Sequence, residues 1–205
     1  MQFTGIYAIT DDNLLAPDQL LAAVEAALSA GIRMLQYRSK TGSDSERLDT
    51  ANALQVLCKN FHVPLIINDD VNLCIAVGAA GVHLGRQDAD LHQARSQLGH
   101  DAIIGVTCHA SLTLARAAEH AGADYVAFGR FFPSHTQPQA SPADMALLTL
   151  ARRELSLPIV AIGGINAENG AALRQAGADM LAVVHAIFGS RDVGASARKL
   201  VQLYQ

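Results

Sequence analysis

The chain has 205 residues and a mass of 21.6 kDa, and 50% of its residues are hydrophobic while 17% are charged. This composition excludes an intrinsically disordered chain and a fibrous protein. A chain of this length buries about 70% of its unfolded surface, so it needs neither disulfides nor a structural metal to fold. The formal net charge of −4 argues against a nucleic-acid-binding or anionic-membrane-binding surface, and we expect neither partner.

The three cysteines, Cys58, Cys74 and Cys108, are odd in number and show no zinc-ligand spacing. This pattern favours reduced cysteines that act as small core residues, as in cytoplasmic proteins. The first five residues lack the basic-then-apolar form of a signal peptide. Each apolar run is shorter than the roughly 20 residues that a membrane-spanning helix needs. We therefore expect a cytoplasmic location.

Short apolar runs recur along the whole chain. They are continuous rather than alternating, which is typical of parallel strands that are covered on both faces. The eight runs are residues 5–10, 34–38, 64–68, 81–85, 102–107, 125–129, 159–163 and 180–184.

Segments rich in Ala and Leu with a helical period lie between these runs, most clearly at residues 18–29, 112–120 and 167–175. Ala-Gly pairs directly precede the second, fourth, sixth and eighth runs. Their glycines are Gly31, Gly81, Gly122 and Gly177. We interpret each glycine as a left-handed helix stop before a strand. The alternative is that Ala-Gly pairs are merely common in an Ala-rich chain.

Eight strand–helix units in a chain of 205 residues predict an α/β fold, a compact (β/α)8 TIM barrel that occupies residues 1–205 as a single domain. An open, doubly wound sheet is the alternative. However, no Gly-x-Gly-x-x-Gly turn follows the first run. In a TIM barrel the chemistry lies at the C-terminal ends of the strands, and polar residues do follow the apolar runs here.

Gln36, Arg38 and Lys40 lie at the end of the second run at a spacing of two, which places their side chains on one side of the strand. A guanidinium grips phosphate oxygens in pairs, and a lysine adds a point charge. The chain has only three lysines, so a lysine in this position is notable. The pattern predicts a polyanion site, against the alternative of an ordinary solvated strand end.

Asp69 and Asp88 close the third and fourth runs, which are neighbours in a barrel. Two carboxylates beside an anion site suit Mg²⁺, which prefers oxygen ligands and substrate phosphates. The alternative for Asp69 is a helix cap. For Asp70 the cap is the preferred interpretation, because a helical stretch begins at Val71.

Gly163 and Gly164 end the seventh run, and His185 follows the eighth. Loops after these two strands often bind a phosphate through backbone N–H groups, although a plain turn is the alternative. His185 has two alternative roles, as a structural hydrogen-bonding residue or as an acid–base catalyst. The aperiodic segment 133–142 is long enough to form a lid, or else it is an ordinary variable loop.

At these positions the chain closely resembles the thiamine-phosphate synthase family, over residues 6–188. Several motifs match the family in order and spacing. They are Tyr7-Ala8-Ile9-Thr10-Asp11, Gln36-Tyr37-Arg38-Ser39-Lys40, Asn68-Asp69-Asp70, the segment 81–88, Gly105-Val106-Thr107 and Ala161-Ile162-Gly163-Gly164-Ile165.

The resemblance implies a transferase that joins a pyrimidine diphosphate to a thiazole phosphate and releases diphosphate with Mg²⁺ as cofactor. It implies that Arg38, Lys40 and Thr107 are catalytic, with Thr107 in a position where the family commonly has Ser. Asp69 and Asp88 would bind Mg²⁺. The implied substrate-binding residues are Gln36, Tyr37, Arg38, Ser39, Lys40, Asn68, Thr107, Ser134, His135, Thr136, Gln137, Gly164, Val184 and His185.

Two residues depart from the family pattern. Gln137 stands where the lid usually has a lysine, and His185 stands where many members have Ser. Two alternative functions stay open on the sequence: a thiazole tautomerase, which needs no diphosphate, and a catalytically silent sensor of phosphorylated thiamine precursors. Retention of Lys40, Asp69 and Asp88 argues against the tautomerase, and only Gln137 supports the sensor. A homo-oligomer is left open.

Overall fold

Strands and helices alternate along the chain in the computed structural model, which describes residues 3–85, 90–133 and 142–205. The strands are β1 (Gly5–Ile9), β2 (Met34–Tyr37), β3 (Leu65–Asn68), β4 (Gly81–Leu84), β5 (Ile103–His109), β6 (Tyr125–Gly129), β7 (Ile159–Ile162) and β8 (Met180–Val183). The helices are α1 (Pro17–Ser29), α2 (Asp44–Asn60), α3 (Val71–Val77), α4 (Leu91–Leu98), α5 (Leu112–His120), α6 (Met145–Glu154), α7 (Gly170–Ala176), α8 (His185–Phe188) and α9 (Val193–Val201).

The eight strands form a closed parallel barrel in chain order. Each strand pairs with its neighbours in sequence, and β8 closes the ring against β1, with Ile6 opposite Leu181. The predicted TIM barrel is therefore confirmed, and the open sheet is excluded. The continuous apolar runs have a physical reason, because strands such as β1, β2 and β4 are buried on both faces.

Alternation along each strand divides the buried side chains into two layers. Tyr7, Met34 and Tyr125 belong to a cluster inside the barrel. Their sequence neighbours Ile6, Leu35 and others belong to the layer between the barrel and the helices. A side chain at an inward position near the end of a strand therefore reaches the mouth of the barrel.

The prediction of four glycine helix stops is confirmed at three sites and wrong at the fourth. Gly31, Gly122 and Gly177 follow helices with positive φ. Gly81 instead begins β4. The left-handed cap of α3 is Gly78, with φ 61° and ψ 42°. Gly81 is needed for a different reason: a Cβ there would clash with the backbone of Ile103 on the adjacent strand.

The Ala-Gly pairs at Gly122 and Gly177 are each followed by Ala-Asp, and these aspartates have a structural function that the sequence did not reveal. Asp179 Oδ2 accepts hydrogen bonds from the Ile159 backbone N–H at 2.7 Å and from Arg152 at 2.6 Å. Asp124 repeats this arrangement with Ile104 and Arg95. Each aspartate thus ties the start of its own strand to the start of the preceding strand and to a helix.

The cysteines are buried and free, and burial raises the pKa of Cys58 and of Cys108 to about 12 and that of Cys74 to about 11. These thiols are therefore inert core residues, as the sequence predicted. No helix in the described part of the chain is long and apolar enough to cross a membrane.

Candidate active site

A cavity of about 680 Å³ opens at the C-terminal ends of the strands. Nine of the predicted site residues line it. These are Gln36, Arg38, Lys40, Asn68, Asp69, Thr107, Gly164, Val184 and His185. The cavity is also lined by Tyr7, His83, His109, Arg130 and Asn166. The barrel thus brings together residues from distant parts of the sequence, as expected for this fold.

The spacing of two at the end of β2 places alternate side chains in the cavity, as predicted. Gln36, Arg38 and Lys40 line the cavity, whereas the residues between them do not. Tyr37 is only 5% exposed and packs in the layer between the barrel and the helices. The Ser39 hydroxyl donates to Asp12 Oδ2 at 3.1 Å. Tyr37 and Ser39 therefore do not line this cavity. Tyr37 packs in the core, and Ser39 binds Asp12.

Arg38 and Lys40 are each held beside a carboxylate. Arg38 lies 3.6 Å from Asp11, whose side chain is buried, and Lys40 lies 2.6 Å from Asp69. Thr10 fixes the backbone of Arg38, because its hydroxyl accepts from the Arg38 N–H at 2.9 Å. Two positive side chains therefore face the cavity from defined positions, which suits an anionic ligand.

Asp12 organises the loop that carries Lys40. Its Oδ2 accepts from the Lys40 N–H at 2.6 Å and from the Thr41 N–H and hydroxyl, each at 3.0 Å. Together with the bond from Ser39, these contacts fix the backbone on both sides of Lys40. Asp12 therefore restrains the backbone from which the lysine side chain extends.

The Asn68-Asp69-Asp70 motif assigns a different position to each residue. Asp70 caps α3, since its Oδ1 accepts from the Leu73 N–H at 2.8 Å, so the predicted cap is confirmed. Asp69 has φ 63°, a left-handed conformation that Asp tolerates better than most residues. This conformation turns the chain from the strand towards the helix. The Asp69 carboxylate faces the cavity and accepts from Asn68 Nδ2 at 2.5 Å.

Asp69 has the chemistry of a ligand for Mg²⁺, because it is a carboxylate that reaches a cavity that Arg38 and Lys40 also line. Within residues 3–85, 90–133 and 142–205, no group of three or more His, Cys, Asp or Glu is arranged to hold a metal ion. A Mg²⁺ site at Asp69 would therefore draw further oxygen ligands from elsewhere. Proteins commonly bind Mg²⁺ in this way, through one or two carboxylates and substrate phosphates.

Two glycines border the part of the cavity next to β7 and β8. Gly163 and Gly164 have φ of 103° and 64°. A Cβ on Gly163 would clash with Arg130, and one on Gly164 would clash with the backbone of Pro133. Glycine is thus required at both positions by conformation and by space. Val184 precedes α8 and His185 begins it, so backbone from both loops borders the same part of the cavity.

Thr107 projects from β5, and its hydroxyl lies 2.8 Å from His83 Nε2 on the adjacent strand. Burial lowers the pKa of His83 to about 4, so the imidazole is neutral at pH 7. His83 therefore contributes a hydrogen bond rather than a positive charge near Thr107.

Comparison with known proteins identifies the relatives of this chain. The family profile described as thiamine monophosphate synthase matches residues 6–187. The chain belongs to the thiamine monophosphate synthase family. A thiamine-phosphate synthase of Thiobacillus denitrificans is 52% identical over 202 residues, covering 98% of this chain and 94% of the relative. A thiamine-phosphate synthase of Marinobacter nauticus is 54% identical over 194 residues, covering 95% and 87%.

The fold of this chain also matches a solved structure. The thiamine phosphate pyrophosphorylase of Pyrococcus furiosus superposes with a TM-score of 0.90 at 30% identity, covering 98% of this chain and 96% of that chain. The resemblance that the sequence motifs indicated is therefore confirmed, and so is the expectation that the chain is a transferase of the thiamine-phosphate synthase type.

Some predicted site residues lie outside the described residues. These are Asp88, Ser134, His135, Thr136 and Gln137. Conversely, the sequence motifs assigned no role to Asp11, Asp12 or His83. A signal for His83 was available, because its neighbours Val82 and Leu84 are apolar and belong to the helix-side layer, so alternation directs the imidazole inwards.

Proposed function

We propose that this cavity performs the reaction that gives the thiamine monophosphate synthase family its name. The substrates are 4-amino-5-hydroxymethyl-2-methylpyrimidine diphosphate and 4-methyl-5-(2-phosphooxyethyl)thiazole, and the products are thiamine monophosphate and diphosphate. The observation that carries the proposal is the placement of Arg38, Lys40 and Asp69 in one cavity, which the glycines that follow β7 also line. Phosphorylated small molecules are thus the ligand class.

The first step is loss of diphosphate from the pyrimidine. The bond between the exocyclic methylene carbon and the diphosphate oxygen breaks, and its electron pair leaves with the oxygen. Arg38 and Lys40 neutralise the charge that develops on the leaving group, and the Thr107 hydroxyl donates a hydrogen bond to it. Asp11 positions Arg38, and the Asp12 contacts position Lys40.

Asp69 and Asp88 would hold Mg²⁺. When bound there, Mg²⁺ supplies positive charge to the diphosphate oxygens. Asn68 and Lys40 hold the Asp69 carboxylate, donating to its Oδ2 at 2.5 Å and 2.6 Å.

The second step joins the two rings. The thiazole nitrogen attacks the methylene carbon of the pyrimidine cation, so that no covalent bond to the protein is needed. Gly164, Val184 and His185 border the place where the thiazole phosphate would bind, and the family resemblance adds Ser134, His135 and Thr136. Backbone N–H groups of these loops would donate to the phosphate oxygens.

Mixing the two substrates with the enzyme and Mg²⁺ tests the proposal. We expect diphosphate and thiamine monophosphate in equal amounts, and we expect their formation to stop in EDTA. Arg38→Lys keeps the charge but loses the two-pronged grip, so kcat/KM should fall about tenfold or more. Lys59, on the outer helix α2, offers a matched control in Lys59→Met.

Three outcomes contradict the proposal. Binding of both substrates without product would favour the sensor. Conversion of a thiazole phosphate tautomer without the pyrimidine would favour the tautomerase. Full activity in EDTA would exclude the role of Mg²⁺.

A further inference from the structure

A continuous chain of hydrogen bonds crosses the interior of the barrel and connects Gln36 to Thr107, which both line the cavity. Gln36 Nε2 donates to the Tyr7 hydroxyl at 2.6 Å, and the Tyr7 and Tyr125 hydroxyl groups lie 2.9 Å apart. The Tyr125 hydroxyl lies 2.9 Å from His83 Nδ1, and His83 Nε2 lies 2.8 Å from Thr107 Oγ1. Five side chains from five strands are thus connected.

The available protons allow this chain of hydrogen bonds one donor-to-acceptor direction. The Tyr7 oxygen accepts from Gln36, so the Tyr7 proton goes to Tyr125, its other hydrogen-bond partner among the described residues. The Tyr125 proton in turn goes to His83 Nδ1. His83 must therefore be neutral, with its proton on Nε2, and it donates to Thr107 Oγ1.

The surroundings hold this arrangement in place. Tyr7, Tyr125 and His83 are buried, so each hydrogen bond that is lost would leave a buried polar atom without a partner. Gly105 makes room for Tyr125, because a Cβ at that position would overlap the phenol ring. Burial also disfavours the charged forms, raising the pKa of both tyrosines and lowering that of His83.

We propose that Tyr7, Tyr125 and His83 are positioning residues that polarise Gln36 and Thr107 towards the substrate. With its Nε2 bound to Tyr7, Gln36 presents its carbonyl oxygen to the cavity as an acceptor. With its oxygen accepting from His83, Thr107 presents its hydroxyl proton to the cavity as a donor. The role in turnover rests on the proposed function, whereas the direction of the chain does not.

This polarity matches the chemistry of the pyrimidine diphosphate. An amino group on the ring can donate to the Gln36 oxygen, and a diphosphate oxygen can accept from Thr107. Reversal of the hydrogen-bond chain would make Gln36 present a donor and Thr107 an acceptor to the cavity, so both contacts with the substrate would be lost together. The chain therefore couples recognition of the ring to recognition of the leaving group.

The first test measures the His83 tautomer without any substrate. Long-range ¹H–¹⁵N spectra of protein labelled at histidine distinguish a proton on Nε2 from one on Nδ1, and His83→Gln assigns the signals. We expect the Nε2–H tautomer at pH 7, and we expect Tyr125→Phe to produce a mixture of tautomers. The Nδ1–H tautomer in the unmutated protein would overturn the proposed direction, whether or not the protein is active.

The second test measures coupling in kinetics. Tyr125→Phe leaves Gln36 and Thr107 in place, and we expect it to lower kcat about tenfold. Thr107→Val alone should lower kcat strongly. Added to Tyr125→Phe, it should lower kcat much less, because the polarised donor has already been lost. Thr107→Ser, which keeps the hydroxyl, should retain activity. Tyr204→Phe is the matched control, since Tyr204 packs against Arg174 and does not line the cavity.

The outcomes separate the two proposals. Independent, multiplicative effects of Tyr125→Phe and Thr107→Val would refute the positioning role while the enzyme remains active. Absence of product with the unmutated protein would refute the proposed function, and the tautomer measurement would still decide the direction of the chain.

Discussion

Lys40 and Asp69 form an ion pair at the mouth of the barrel, with Nζ 2.6 Å from Oδ2. The same oxygen accepts from Asn68 Nδ2, so two donors converge on it. If Asp69 binds Mg²⁺, Lys40 and the metal compete for one carboxylate. Displacement of the lysine by the metal would then free its ammonium group to contact the diphosphate.

Lys40→Met should therefore tighten metal binding while it slows the reaction. The Lys40 side chain is 55% exposed, so solvent weakens the pair and the gain in affinity should be modest, about two- to fivefold. Titration with Mn²⁺ followed by electron paramagnetic resonance measures the affinity without substrate. Lys59→Met is the control, and unchanged or weaker binding in Lys40→Met would contradict the competition.

Asp69 and Asp70 are neighbours in sequence that should respond to substitution in opposite ways. Asp69→Asn keeps a residue that tolerates positive φ but removes the charge, so kcat/KM should fall at least about 100-fold with little change in stability. Asp70→Ala removes the cap of α3 and should cost about 1 kcal/mol of stability with most of the activity retained. Urea unfolding and steady-state kinetics on both variants check this.

A result in which both variants lose the same property would contradict the assignment. Loss of stability in Asp69→Asn alone would indicate that Asp69 holds the turn rather than the substrate. Loss of activity in Asp70→Ala at full stability would indicate that Asp70 acts in the cavity.

The sequence predicted the parts of this structure that depend on local pattern. Continuous apolar runs located the strands, and a spacing of two placed Gln36, Arg38 and Lys40 on the cavity side. Contacts between distant residues could not be predicted in this way. The bond between Tyr7 and Tyr125 joins residues 118 positions apart, so it depends on closure of the barrel.

Local pattern also failed where two explanations fit one residue. A glycine before a strand can end a helix or avoid a backbone clash, and only the position of the last helical turn distinguishes Gly78 from Gly81. The motif Asn68-Asp69-Asp70 likewise offered two candidate caps, and the positive φ of Asp69 separates them.

Asp179 should contribute to stability but not to catalysis. Its Oδ2 accepts from the Ile159 N–H and from Arg152, at the start of the strands and away from the cavity. Asp179→Ala leaves the Ile159 N–H without its acceptor and should cost about 1–3 kcal/mol. Asp179→Asn keeps an acceptor oxygen and should cost less. Urea unfolding gives the order of stabilities of the two variants. A lower kcat at full stability in Asp179→Ala would contradict the structural role of Asp179.

His83 should make stability depend on pH between its folded and unfolded pKa values. Burial lowers its pKa from the ordinary 6.5 to about 4, so between these values the unfolded chain binds a proton that the folded chain does not. Stability is therefore fully present above about pH 6.5 and is lost progressively as the pH falls towards 4. From pH 7 to 4.5, this group should remove about 2 kcal/mol.

The comparison that isolates this effect uses His83→Gln, which can still form hydrogen bonds but does not titrate. Other groups titrate equally in both proteins, so the difference between their free energies of unfolding at pH 7 and pH 4.5 reports His83. We expect the unmutated protein to lose about 2 kcal/mol more than the variant. Parallel losses would mean that His83 is protonated as easily in the folded protein as in the unfolded chain, which would contradict the buried, neutral imidazole that the hydrogen-bond chain requires.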